Sequence, residues 1–403
     1  MTLPLEGIRV ADFTWVWAGP FCTLQLAHLG AEVIRIESTA RTCVTRLLPP
    51  FADGVPGRNR SGYFNQYNQG KLSLALDLKQ PDAIGVARDL IEHCDIVCEN
   101  FAAGVMDRMG LGYQAIRAVK PDIIMIALSG YGATGPEHEF VSYGPAQVPL
   151  SGMSSLTGYA DWPPMHVGIS YGDPTGGLHG AVAVLAALLH RAQTGEGQYI
   201  DLSQQETSIA VLGEGVLEQS LAGCQPPRRG NRDPQMAPHG VFRCSGEQRW
   251  VAIAVRDDAE WQRCAAAMGQ PELGTDPRFA STAARKQNED ALEALVTEWT
   301  RSRQAEEVAT LLQSARVAAA VSMHSRDIAE DPHLTDSGFF VHQPHPEVGT
   351  RLHLGVPWRM SDTPCDVRGA APCLGEHTDD VLRRIVGYAP ERIAALRERG
   401  ILV

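Results

Sequence analysis

Residues 8–37 read IRVADFTWVWAGPFCTLQLAHLGAEVIRIE. Residues 8–12 have the apolar pattern of a short strand, and Ala18-Gly19-Pro20 makes a turn. Residues 21–29 then read as a helix ended by Gly30, and 31–37 as a second strand. Strand, helix, strand at this spacing is a βαβ unit, which places the chain in the α/β class with a parallel sheet. Glu37 falls about where a ribose-binding acid falls in a dinucleotide fold. The turn, however, holds one glycine rather than the three of that fingerprint, so no nicotinamide or flavin site is expected.

The alternation continues outward. Strands are expected at 72–77, 96–99, 123–129 and about 198–202, with helices at 81–94, after Asp173 and from Gln204. Residues 1–221 thus form a large α/β part. Residues 222–248 contain Pro226, Pro227, Arg228, Arg229, Gly230, Asn231 and Arg232 and read as a linker. Residues 249–330 read as a smaller α+β domain, with a strand at 250–255 and a largely helical stretch at 292–314. Residues 331–403 end in a helix pair over 379–400.

Composition narrows the function. A chain of 403 residues supports more than one lobe, and a net charge of −12 gives no basic field for nucleic acid or an anionic membrane. No apolar run reaches membrane-spanning length, and the first residues lack the basic and apolar regions of a signal peptide. Nine scattered cysteines fit reduced thiols, so a cytoplasmic location is expected. Cys94 and Cys98 stand near His93 without a second ligand pair, so no metal site is expected.

One acid stands out. Asp173 lies in the glycine-rich turn Ser170-Tyr171-Gly172-Asp173-Pro174 at the head of a long apolar helix. Two readings fit it. As an N-cap it accepts free helix N–H groups, with Pro174 in the first turn. As a nucleophile it uses the glycines for close substrate approach and the N–H groups for a developing oxyanion.

Several segments in order resemble the class III coenzyme A transferases, the CaiB/BaiF family. They are Asp12-Phe13 with Ala18-Gly19-Pro20, residues 30–37 (GAEVIRIE), Asn68-Gln69-Gly70-Lys71, and Leu76-Asp77-Leu78-Lys79. Glu99-Asn100-Phe101, Asp107-Arg108-Met109-Gly110, residues 194–198 (TGEGQ) and 374–378 (LGEHT) complete the series. The resemblance implies that Asp173 is a covalent nucleophile passing CoA from an acyl-CoA to a free carboxylic acid through aspartyl anhydride and aspartyl-CoA thioester intermediates. A carboxylate needs no base for that attack. Backbone N–H groups at Gly172, Gly176 and Gly177 are the expected oxyanion donors, with Tyr143 as a supporting residue or a half-buried aromatic.

The resemblance also maps coenzyme contacts onto Val16, Trp17, Ala18, Leu76, Lys79, Asn100, Phe101, Arg108 and Met109. Lys79 and Arg108 suit phosphates, although either residue type is ordinary on a surface. CoA enters as substrate, and no tightly bound cofactor is expected. The family's assembly implies an interlocked homodimer, each large domain being completed by the C-terminal return at 331–403; a hetero-oligomeric transferase is the alternative.

Three departures qualify the match. Ser38 replaces the family's basic residue after Glu37, so one phosphate contact is either lost or supplied by Arg41 or Arg46. Ala102-Ala103-Gly104 replaces the usual basic-Pro-Gly run. Residues 243–247 (RCSGE) hold one glycine where oxalate-using members have several, which argues against an oxalate enzyme, while residues 170–174 (SYGDP) and Leu156-Thr157-Gly158-Tyr159 resemble members acting on larger acids of the benzylsuccinate, phenyllactate or bile-acid type. Residues 38–64 read as a substrate loop whose Arg41, Arg46, Arg58 and Arg60 either bind an acceptor carboxylate or are solvated. A second activity, acyl-CoA racemisation, needs a histidine four residues before Tyr143; Glu139 stands there, with His138 one residue away.

Overall fold

The computed structural model describes residues 2–403, and the chain divides into two compact units. The first comprises the chain up to Ser154, His166–Cys224 and Leu334–Val403; the second comprises Ser155–Met165 and Gln225–His333.

The first unit is built on β1 (Arg9–Asp12), β2 (Glu32–Glu37), β3 (Leu72–Ala75), β4 (Ile96–Glu99), β5 (Ile124–Ser129) and β6 (Tyr199–Ser203). All five pairings are parallel, and the strand order is β3-β2-β1-β4-β5-β6. Its main helices are α1 (Ala18–His28), α2 (Gly62–Tyr67), α3 (Pro81–Glu92), α4 (Gly144–Leu150), α5 (Gly172–Thr194) and α6 (Gln204–Ala210). Alternate strand residues feed opposite cores, as a sheet covered on both faces requires. Val10, Val33, Ile96 and Ile124 pack with Cys22 and Leu26 of α1 and Val184 of α5. Ala11, Ile34, Val97 and Met125 pack with Val86 and Leu90 of α3 and with Leu382 and Leu396 near the C-terminus.

The C-terminal return is therefore part of this core. Gly375 N–H donates to Ser73 Oγ at 2.8 Å, and Ala75 N–H donates to Thr378 Oγ1 at 3.0 Å, pinning the 374–378 motif onto β3. The return also carries the hairpin β10 (Phe340–His345) and β11 (Gly349–Leu354) and ends in the helix Pro390–Glu398.

The second unit has a three-stranded antiparallel sheet of β7 (His239–Arg243), β8 (Trp250–Ala254) and β9 (Ala318–Val321), in that order. Its core gathers Trp261, Phe279, Leu292, Val296 and Val308. Two boundaries differ from the sequence reading. The expected linker 222–248 contains β7, whose apolar Val241 and Phe242 flanked by polar residues carry too short a pattern to stand out. Residues 155–165 belong to the second unit although the chain passes through the first on either side.

The 38–64 segment is ordered by one buried cation. Arg46 is fully buried and binds Glu37 through two bonds, Nη2 to Oε1 at 2.7 Å and Nε to Oε2 at 2.9 Å. It also donates to Asn59 Oδ1 at 2.8 Å and to the Pro372 carbonyl at 3.1 Å, and it lies 3.5 Å above the Phe64 ring. Every donor face is spent, so Arg46 is not a substrate-binding arginine. Arg60 is similarly committed, to the carbonyls of Ala52, Val55 and Glu347. Removing one partner of a buried ion pair leaves the other charge stranded, at a cost of about 3–5 kcal/mol. Arg46→Ala is expected to lose stability on that scale in urea unfolding; a loss within experimental error would contradict the assignment.

Candidate active site

Strand order reverses between β1 and β4, and in open α/β sheets the crevice at the carboxyl ends of such strands is where ligands bind. Here it is a cavity of about 290 Å³. Trp15 and Val16 after β1, Asn100, Phe101 and Ala102 after β4, and Ser129 and Gly130 at the end of β5 line it. Tyr143, Gly144, Gln204 and Asp173 close it.

Asp173 is the second residue of α5, whose N-cap is Tyr171 without a side-chain capping bond. The helix begins two residues earlier than an Asp173 N-cap requires, so Asp173 sits inside the first turn and does not serve as the N-cap. Its residue exposure is 6%. Burial pushes its pKa up to about 7, and the Ala18 backbone N–H opposes that rise by bonding the carboxylate. Burial thus disfavours the ionised form that a nucleophilic attack requires.

Glycines set the close approaches. A Cβ on Gly144 would stand 1.6 Å from Asp173 Oδ2, so only glycine fits over the carboxylate. A Cβ on Gly177 would meet the Ala18 carbonyl at 2.7 Å, and one on Gly176 would meet Gln204 Cγ at 3.0 Å. Gly176 and Gly177 are therefore packing glycines, seating α5 against α1 and α6. Beyond the first turn their N–H groups bond within the helix, which removes them as oxyanion donors. The Gly172 N–H lies in the first turn, where the helix supplies no partner. Tyr143 is 66% exposed on the cavity wall, not half-buried.

The mapped coenzyme residues separate. Val16, Asn100 and Phe101 line the Asp173 cavity, and Ala18 touches the carboxylate. A neighbouring cavity of about 480 Å³ shares Phe101 and Ser129 with it and carries Arg108 on its wall. Lys79 and Arg108 lie at the surface, and neither forms an ion pair among the described residues. Met109 packs at the edge of the core. At 1% exposure the Leu76 side chain is core, and its N–H is spent on the Glu37 carbonyl at 2.7 Å, so neither of these groups faces a ligand. Arg41 is exposed, stacks 5.0 Å over Trp15 and lines the Asp173 cavity, so of the two arginines offered to replace the basic residue missing at Ser38 it is the available one.

An aromatic cluster escaped the sequence reading. Trp17 lies 5.8 Å from Tyr63 and 5.1 Å from Tyr67, and Phe21 lies 5.7 Å from Tyr67. Burial first, and the Asp173 charge second, push both tyrosine hydroxyls above their usual pKa. The Trp17 indole Nε1 is buried without a hydrogen-bond partner. Tyr63 and Tyr67 are four apart on α2 behind the N-cap Ser61, a helical signal masked by the surrounding proline- and arginine-rich segment. His138 and Glu139 line the neighbouring cavity, and His138 Nδ1 pairs with the Gly135 carbonyl oxygen at 2.7 Å.

The raised pKa of Asp173 makes stability depend on pH. The folded state holds the proton up to about pH 7, whereas the unfolded state releases it near 3.8. Stability is greatest below the lower value and is lost as pH rises towards 7. Asp173→Asn removes the penalty, so its melting temperature should exceed wild type at pH 8 by an amount reflecting a few kcal/mol. The advantage should vanish below about pH 4; an equal difference at both pH values would refute the shift.

The family model of CoA-transferase family III matches residues 5–378. The chain is similar to a formyl-CoA:oxalate CoA-transferase of Bradyrhizobium sp. (strain ORS 278), at 32% identity covering 100% of this chain and 98% of the relative. It is also similar to a succinyl-CoA:mesaconate CoA-transferase of Haloarcula hispanica, at 34% identity covering 96% and 98%. A crystal structure of a CaiB/BaiF family protein from Brucella suis aligns with TM-score 0.87 at 30% identity, over 96% of this chain and 100% of that one. The chain belongs to CoA-transferase family III and is an enzyme of the transferase class.

Proposed function

We propose that this enzyme moves CoA from an acyl-CoA to a free carboxylic acid, with Asp173 as the covalent nucleophile. The observation that carries the reading is the Asp173 carboxylate, buried at the switch-point cavity and met by the Ala18 N–H. An Asp173 oxygen attacks the thioester carbonyl, and the collapsing tetrahedral intermediate expels CoA thiolate, leaving a mixed anhydride. The thiolate attacks the aspartyl carbonyl and displaces the donor acid as its carboxylate. The acceptor carboxylate then attacks the aspartyl thioester and releases the thiolate. Attack of that thiolate on the acceptor acyl carbon yields the new acyl-CoA and restores Asp173.

First-turn amides of α1 and α5 are the candidate donors to each oxyanion. Arg41, Lys79 and Arg108 are the cations available to the coenzyme phosphates. Trp15, Phe101, Phe140 and Val141 give the cavity wall apolar surface that suits an acid with an apolar body. That wall, with the single glycine in 243–247, supports a larger acceptor than the oxalate named for the Bradyrhizobium relative. Racemisation gains no support, because His138 lines the neighbouring cavity and not that of Asp173.

Trapping tests the mechanism. Borohydride or hydroxylamine added during turnover should modify the peptide bearing Asp173, and Asp173→Ala should leave under about 1% of the transfer rate while folding normally. The rate should climb with pH through about 7 as the carboxylate ionises. Modification of a different carboxylate would end the proposal.

We also infer an interlocked homodimer. Leu178, Val182 and Leu189 of α5 are 47%, 67% and 63% exposed, and Leu221 on the helix Gly213–Ala222 is 83% exposed. Apolar side chains grouped on helices in this way call for a covering partner. Sedimentation should show a dimer at every practical concentration, and a folded 43.6 kDa monomer would rule it out.

A further inference from the structure

Asn100 grips the Trp15 backbone with both polar atoms of its side chain. Its Oδ1 accepts from the Trp15 N–H at 2.7 Å, and its Nδ2 donates to the Trp15 carbonyl at 2.8 Å. Both bonds go to one backbone residue, and the amide keeps its second N–H and second lone pair. The location explains why such a clamp is needed. β1 and β4 are paired through Asp12 and Cys98, and Phe13 N–H still reaches the Cys98 carbonyl at 2.9 Å. Past that point the two chains part, because the sheet turns in opposite directions from here. The Asn100 amide acts as one more peptide rung and holds Trp15 after the ladder has ended.

Trp15 leads directly into a strained turn. Val16 has φ +63°, a left-handed conformation that β-branched residues rarely adopt. Its N–H is held by Cys43 Sγ at 3.4 Å. Two residues on, α1 begins at Ala18, with N-cap Trp17 offering no side-chain bond, so the first amides are not consumed locally. One of them, the Ala18 N–H, lies by the Asp173 carboxylate and favours its ionised form. The path from Asn100 to Asp173 is thus short and covalent except at its two ends.

We propose that Asn100 is a positioning residue, clamping Trp15 so that the left-handed turn at Val16 aims the Ala18 N–H at the Asp173 carboxylate. The inference rests on the reading of Asp173 as nucleophile. It adds to the role the family resemblance implied for Asn100, that of a coenzyme contact.

The test reads the ionisation of Asp173 in two ways. Other groups facing that carboxylate are Tyr63 and Tyr67 from α2, Tyr143 before α4 and Arg41 on the same cavity wall; Asn100→Ala leaves all four in place. The first readout is the pH profile of transfer. The acid limb should move up by about one pH unit and the rate at pH 7 should fall several-fold, with KM for acyl-CoA within about threefold of wild type. Asn100→Ser, which can keep one of the two bonds, should shift the limb by a smaller amount and guards against misfolding of the alanine variant.

The second readout does not need turnover: carbodiimide labelling of the Asp173 peptide, which requires the protonated acid, measured against pH. It should move by the same amount. A labelling curve that moves without the transfer limb would keep the clamp and remove Asp173 as nucleophile. An unmoved labelling curve with KM raised tenfold or more would overturn the clamp and return Asn100 to coenzyme binding.

Discussion

The contact between α1 and α5 is the constraint on which this site depends. Gly177 lets the two helices approach until a Cβ would strike the Ala18 carbonyl. With the helices that close, their first turns meet at the carboxyl ends of β1 and β4, and the Ala18 N–H of one comes to the Asp173 carboxylate of the other. The macrodipoles of both helices favour negative charge there. Burial opposes it and prevails, since the Asp173 pKa rises to about 7. The site therefore balances a desolvated carboxylate against one backbone N–H and two helix N-termini.

The βαβ unit at 8–37 and the alternation to residue 210 were legible because a doubly covered parallel sheet writes itself as short apolar strands separated by helices. Asp173 was legible because its glycine-rich turn is local in sequence. What the sequence concealed was non-local. Arg46 and Arg41 sit five residues apart in the same loop, yet one lies under Phe64 and is bound to Glu37, while the other faces the cavity. Leu76 falls within a recognisable motif and still points into the core. Gly176 and Gly177 resemble substrate-approach glycines in sequence; only the neighbouring helices show them to be packing positions. The capture of residues 155–165 by the second unit leaves no local trace at all.

The C-terminal return illustrates a related point. Residues 374–378 carry a recognisable motif, and in the fold that motif is architectural. Its Gly375 N–H and Thr378 hydroxyl satisfy Ser73 and Ala75 on β3. An edge strand with unpaired backbone invites association with other chains. Here that edge receives a segment from some three hundred residues away in the same chain.

The glycine lid over Asp173 has a consequence for the energy levels of the cycle. A carboxylate in this crowded, poorly hydrated place is costly as an ion, but an anhydride or thioester made from it is neutral. Along the proposed route each acylation therefore discharges the buried Asp173 carboxylate, so the surroundings that make the free enzyme uncomfortable leave its covalent states at ease. The expected result is a flattened profile in which no intermediate lies deep enough to trap the enzyme, and in which the return of the bare carboxylate is the uphill event.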